Sequence, residues 1–208
     1  MKRPAILLLG VLFLASVSWS QNIVNKKQSI IDSAGIDFVS SSSNLPFFAS
    51  SADAEKITSS IMDVLGIEGT FKIKSANVPN VEATIRHHER YILYNPDFIS
   101  KVNAATKNKW ASIFILAHEI GHHVEGHTLA DIKSRPPIEL EADQFAGYTL
   151  CKMGATLEQA QLAMYFIANI EGSRTHPGRA DRLEAIEKGW DKAEEQMKPS
   201  SHSSNTEP

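Results

Sequence analysis

The stretch Leu116-Ala117-His118-Glu119-Ile120-Gly121-His122 decides how this chain is read. At about 3.6 residues per turn, His118 and His122 fall one turn apart on one helix face, where two imidazoles can share a metal ion. Glu119 stands beside them, placed to act as general base toward a water that the metal activates. The flanks agree with a helix, because Trp110, Ile113, Phe114, Ala117 and Ile120 recur with helical spacing over about 107–126. A packed helix is the rigid support that such a site needs.

Two histidines do not complete a catalytic zinc site, which takes three protein ligands and keeps one position open. The extended pattern HExxHxxGxxH would need glycine at 125 and histidine at 128. The chain has Glu125 and Thr128, with Gly126 and His127 each one place out of register. A third ligand therefore has to come from elsewhere. Pro136-Pro137-Ile138-Glu139-Leu140-Glu141-Ala142-Asp143 opens a second helix, since tandem prolines suit a first helical turn and Ile138, Ala142, Phe145, Ala146 and Leu150 form a packing face. Glu139 and Asp143 are four apart and share one side of that helix. One carboxylate can bind metal while the other accepts a hydrogen bond from a ligand histidine and fixes its tautomer. Glu139 follows His122 by 17 residues, enough for a turn and the start of an antiparallel helix.

With HExxH followed by ExxAD, the chain resembles the gluzincin metallopeptidases that include HtpX, BepA and the CAAX prenyl endopeptidases. The resemblance implies zinc ligands at His118, His122 and Glu139, a general base at Glu119 and a supporting acid at Asp143. Glu141 is the rival third ligand, but it points about 160 degrees away from Asp143 around the helix. The segment Thr175-His176-Pro177-Gly178-Arg179-Ala180-Asp181-Arg182 fits the HPxxxxR pattern of the same group. It implies that His176 sits near the metal, either filling the open position at rest or stabilising an oxyanion, and that Arg182 pairs with a carboxylate around the site. The likeness spans roughly 80–190.

The activity expected from this likeness is that of a metalloendopeptidase with one Zn2+ per chain, acting on polypeptides of the cell envelope. The alternative is a zinc-binding chaperone or assembly factor whose proteolysis is latent and gated by His176. A helical protein without metal is a third reading, and amidase use of the same chemistry a fourth. Of the remaining histidines, His123 and His127 are expected to face solvent or a neighbouring loop, and His87 and His88 fall in a charged turn.

Composition narrows the setting. Lys2-Arg3, an apolar run over 5–17 and Ser18-Trp19-Ser20 have the layout of a signal peptide, with cleavage expected after Ser20. The run is about 13 residues, short for a spanning helix, and no later stretch is long and apolar enough to cross a membrane. An exported protein is expected, periplasmic in a Gram-negative cell and secreted otherwise. In this respect the soluble, BepA-like members are the closer comparison. Cys151 is the only cysteine, so no internal disulfide can form, and it reads as a small packed hydrophobe. A formal net charge of -3 offers no basis for nucleic-acid or anionic-membrane binding.

Punctuation along the chain suggests an α+β, zincin-like fold: a small antiparallel sheet, then a helical bundle carrying the two motifs. Residues 21–50 are polar and serine-rich and read as a loose lead-in to one domain over 51–197. A helix over 53–65 ends near Gly66. Strand patterns follow at 70–74, 81–86 and 90–94, with turns at 77–80 and 87–89. Tyr91, Ile92, Leu93 and Tyr94 are the candidate edge strand for an extended peptide substrate, an inner strand being the other reading. A helix over about 137–153 stops at Gly154, Thr156 with Gln159 caps the next, and a last helix covers about 179–197. The tail 198–208 has a disordered composition.

Overall fold

A computed structural model describes residues 45–69, 71–129 and 135–198. Among these the fold is α+β, with one three-stranded sheet and six helices. The proposed signal peptide at 1–20, most of the lead-in and the tail from 199 lie outside the described residues. The end of the lead-in is not loose: Phe48 is fully buried, and its carbonyl accepts from Asn103 Nδ2 at 2.9 Å. The packed unit therefore begins before residue 51.

Helix α1 (Ser51–Leu65) starts where the Ser50 hydroxyl accepts from Asp53 N–H, and it ends at Gly66, whose φ of 64° is left-handed. It presents Ala54, Ile57 and Ile61 to the core. Strands β1 (Lys72–Ser75), β2 (Val81–Arg86) and β3 (Glu89–Tyr94) then form the sheet, in the order β1-β3-β2. The sheet is mixed rather than antiparallel, because β1 runs parallel to β3. Two local features explain the difference. His87 and His88 both adopt positive φ (51° and 64°), so a two-residue turn of the kind that matches strand twist seats β2 against β3. Residues 76–80 pass the end of β3, tied there by Ala76 N–H to Tyr94 O (2.9 Å), Asn95 N–H to Asn80 O (2.8 Å) and Asn95 Nδ2 to Val78 O (2.8 Å). That passage leaves β1 on the far side of β3.

Helix α2 (Pro96–Thr106) has no counterpart among the expected elements. Asn95 caps it through Asp97 and Phe98 N–H, and Pro96 occupies the first turn. The motif helix α3 (Lys109–Val124) consequently starts later than expected, at an Asn108 cap. It lies at the centre of the molecule, packing against β2, α1, α2 and two of the later helices. Trp110, Ile113, Phe114, Leu116, Ala117 and Ile120 are completely buried. Helices α4 (Pro136–Lys152), α5 (Leu157–Ile167) and α6 (Arg179–Met197) complete the bundle, α5 opening with the Thr156/Gln159 capping box. No helix among the described residues is long and apolar enough to cross a membrane.

Candidate metal centre

Burial of α3 on nearly all sides fixes where its polar residues can go. His118 and His122 emerge toward α4, and their Nε2 atoms lie 3.1 Å apart. Glu139, in the first turn of α4, brings Oε2 to 3.5 Å from His118 Nε2 and Oε1 to 3.8 Å from His122 Nε2. Three ligands at about 2.0–2.2 Å from a tetrahedral ion would be separated by roughly 3.3 Å, so the trio fits a shared metal. These three residues form a group that could hold a metal ion. Two imidazole Nε2 atoms facing each other in a buried site also leave one position that a proton or a cation must fill.

The surroundings hold His118 in place. Asp143, fully buried one turn after Glu139, sets Oδ1 at 2.9 Å from His118 Nδ1, an ion-pair contact whose N–H direction is imperfect. Arg182 of α6 clamps the same carboxylate with two bonds, Nε to Oδ2 at 2.6 Å and Nη2 to Oδ1 at 2.7 Å. The bidentate geometry suits a planar guanidinium and fixes the acid that steadies the histidine.

Electrostatics divide the two histidines in the metal-free protein. Burial opposes charge on His118, but Asp143 and Glu139 override it and raise its pKa to about 9. Burial and the neighbouring His118 lower His122 to about 3. Glu119 is raised to about 7, by burial first and with Glu139 adding to it, while His118 and a backbone hydrogen bond pull the other way. That bond comes from Ala83 N–H in β2, 2.7 Å from Glu119 Oε2.

A cavity of about 910 Å³ opens over these groups, walled by β2 on one side and by residues of α5 and the 169–177 segment on the other. His176 lines it, exposed, with Nδ1 2.9 Å from the Thr175 hydroxyl and outside the three-residue donor group.

The expected substrate strand needs correction. Tyr91, Ile92, Leu93 and Tyr94 belong to the middle strand, paired on both sides, so no free edge remains there for a peptide. Ile92, Leu93 and Tyr94 are buried, and Tyr94 Oη bonds the Ser51 hydroxyl. The edge beside the cavity is β2, whose Val81, Glu82, Ala83, Thr84 and Ile85 all line it. Asn95 N–H to Asn80 O marks a hydrogen-bonded pair, so alternation turns the backbone groups of Val81, Ala83 and Ile85 outward.

Neither His123 nor His127 faces solvent, since both are buried, although His123 Nδ1 does meet the Thr128 hydroxyl of the loop after α3 at 3.0 Å. His123 stacks on Phe71 and reaches Tyr91 O with Nε2 (2.9 Å), pinning α3 to the sheet. His127 Nδ1 lies 3.0 Å from His122 Nδ1, and its Nε2 lies 2.9 Å from Glu141 Oε2. Gly126, at φ 77°, bends the chain after α3 and brings His127 back over the helix end. That glycine was the available signal for a returning histidine. Comparison of the chain with protein-family models, curated proteins and solved structures gives no match.

Proposed function

We propose that the protein is a zinc metalloendopeptidase with a zincin-like site, of the kind its HExxH and ExxAD motifs resemble, acting on exported polypeptides in the periplasm or the medium. The observation carrying this reading is the convergence of His118, His122 and Glu139 donor atoms, with Glu119 alongside and facing the same cavity. Two imidazoles and a carboxylate are a donor set that suits zinc and leaves room for a further ligand. When bound there, zinc supplies Lewis acidity, bringing the pKa of water toward about 7 and polarising a carbonyl.

The chain's own groups account for the rest. Glu119, beside the donor trio and facing the cavity, is placed to take a proton from water and return it to a leaving amine. The Ala83 N–H orients that carboxylate. Asp143 and Arg182 hold the His118 ring. The outward backbone groups of β2 other than the Ala83 N–H offer an extended peptide a strand to pair with, which directs the hydrolase reading toward peptides rather than small amides. His176, on the cavity wall, is assigned to the oxyanion of the cleaved carbonyl.

The test is Glu119→Gln on the protein lacking residues 1–20, with zinc content and casein cleavage measured together. Zinc should stay near one per chain while cleavage falls by about 100-fold or more. Turnover within a few-fold of the parent would remove Glu119 from its role. Absence of zinc from the parent protein would end the proposal.

A further inference from the structure

His127 and Glu141 are used by none of the steps above, yet they meet behind one of the metal-binding candidates. A carboxylate can only accept, so the 2.9 Å contact between Glu141 Oε2 and His127 Nε2 requires the proton on His127 Nε2. A neutral His127 then has a bare Nδ1. That atom lies 3.0 Å from His122 Nδ1, so His122 must donate there. With its proton on Nδ1, the His122 ring keeps a lone pair on Nε2, the atom that faces His118 Nε2 and Glu139.

We infer that Glu141 and His127 are positioning residues that fix the tautomer and ring orientation of His122 for metal binding. The inference rests on the metal-centre reading above. The two chains of contacts run in parallel: Arg182 and Asp143 steady His118, while Glu141 and His127 steady His122. Three acids of α4 thus take three tasks, Glu139 as ligand and Asp143 and Glu141 as anchors behind the two histidines. His127 is buried, which keeps water from substituting for it, whereas the Glu141 side chain is 59% exposed and can be changed without disturbing the core.

The experiment compares zinc affinity, by chelator competition, in the wild-type chain, Glu141→Leu, His127→Leu and His127→Gln. Metal-free melting temperatures identify any variant that has merely lost its fold. Glutamine at 127 keeps an acceptor for His122 Nδ1–H and leucine does not. Removing an outer-shell partner of a ligand histidine costs roughly 10–100-fold in affinity, so His127→Leu should fall in that range and Glu141→Leu should lose about tenfold. His127→Gln should recover to within about threefold of wild type if the contact acts through the acceptor alone. Nitrogen-15 spectra of the metal-free protein should report the Nδ1–H form at His122 in the wild type and a mixture in His127→Leu. Wild-type affinity in a folded His127→Leu or Glu141→Leu chain would overturn the inference. No zinc uptake by the wild type would instead defeat the metal reading and take this inference with it.

Discussion

His118 is asked to be two things. Without metal it carries a proton, because Asp143 and Glu139 hold its pKa near 9 against the pull of burial. With metal it must be a bare ligand. Since the folded pKa is raised above 6.5, the ion pair stabilises the metal-free protein fully below about pH 6.5, and that stability is lost as pH rises through about 9. His122 has the opposite sense: held down to about 3, it is already neutral at any ordinary pH and gives up nothing on binding. Metal uptake near pH 7 should therefore expel about one proton, the one on His118. Zinc affinity should rise about tenfold per pH unit between 6.5 and 8.5 and level off above 9. Zinc-buffered titrations at three pH values check this, and a flat profile would show that no proton competes for the site. At this scale the sequence was informative where helical spacing sets which residues share a face, as for His118 with His122 and Glu139 with Asp143, while the division of labour between the two acids came from the family resemblance. His127 escaped because its place depends on a left-handed Gly126, not on a periodicity.

Among elements, five of the six helices and all three strands were legible, and the order and pairing of the strands were not. The cap at Thr156, the prolines at 136 and 137 and the stop at Gly66 are local signals, and each marks a helix end within a residue or so of its place. Strand order is decided by non-local pairing and by how residues 76–80 cross, which no local pattern encodes, so Tyr91 to Tyr94 were read as an edge and are the centre. Asn95-Pro96 was a legible start signal hidden by its nearness to a strand. The contact of α4 with α6 shows a further gap. Glycines inside helices read as weak points, yet Gly147 and Gly189 are where these two helices touch backbone to backbone. A Cβ on Gly189 would lie 1.9 Å from Gln144 O, and one on Gly147 2.1 Å from Ile186 O. Alanine normally gains about 0.5–1 kcal/mol over glycine in a helix. Here the overlap outweighs that gain, and Gly189→Ala should lose a net 1–3 kcal/mol or so, a melting drop of roughly 2–12 °C. Because Arg182 rides on α6 and its partner Asp143 on α4, zinc affinity should weaken in the same variant. An unchanged or raised melting temperature would mean the helices can separate at little cost.

Across the whole molecule, the candidate centre is where distant parts of the chain are joined. Its groups come from β2 (Ala83), α3 (His118, Glu119, His122), α4 (Glu139, Asp143) and α6 (Arg182), so an ion bound there would bridge α3 to α4 and act through Asp143 on α6. An unfolded chain cannot hold these donors together, which makes binding free energy into folding free energy. At free zinc a thousandfold above its Kd, the gain is about 4 kcal/mol, or roughly 8–16 °C in melting temperature for a domain of this size. The stabilisation should also be uneven. Amide exchange should slow in α3, α4 and the start of α6, which carry or brace the ligands, and change less in α1, which packs on the core through Ala54, Ile57, Ile61 and Met62 and carries no ligand. Chelation should reverse both effects. If one zinc binds per chain yet melting and exchange stay as they were, the ion is held somewhere other than His118, His122 and Glu139. A zinc-dependent slowing confined to those helices would locate it there without any appeal to activity.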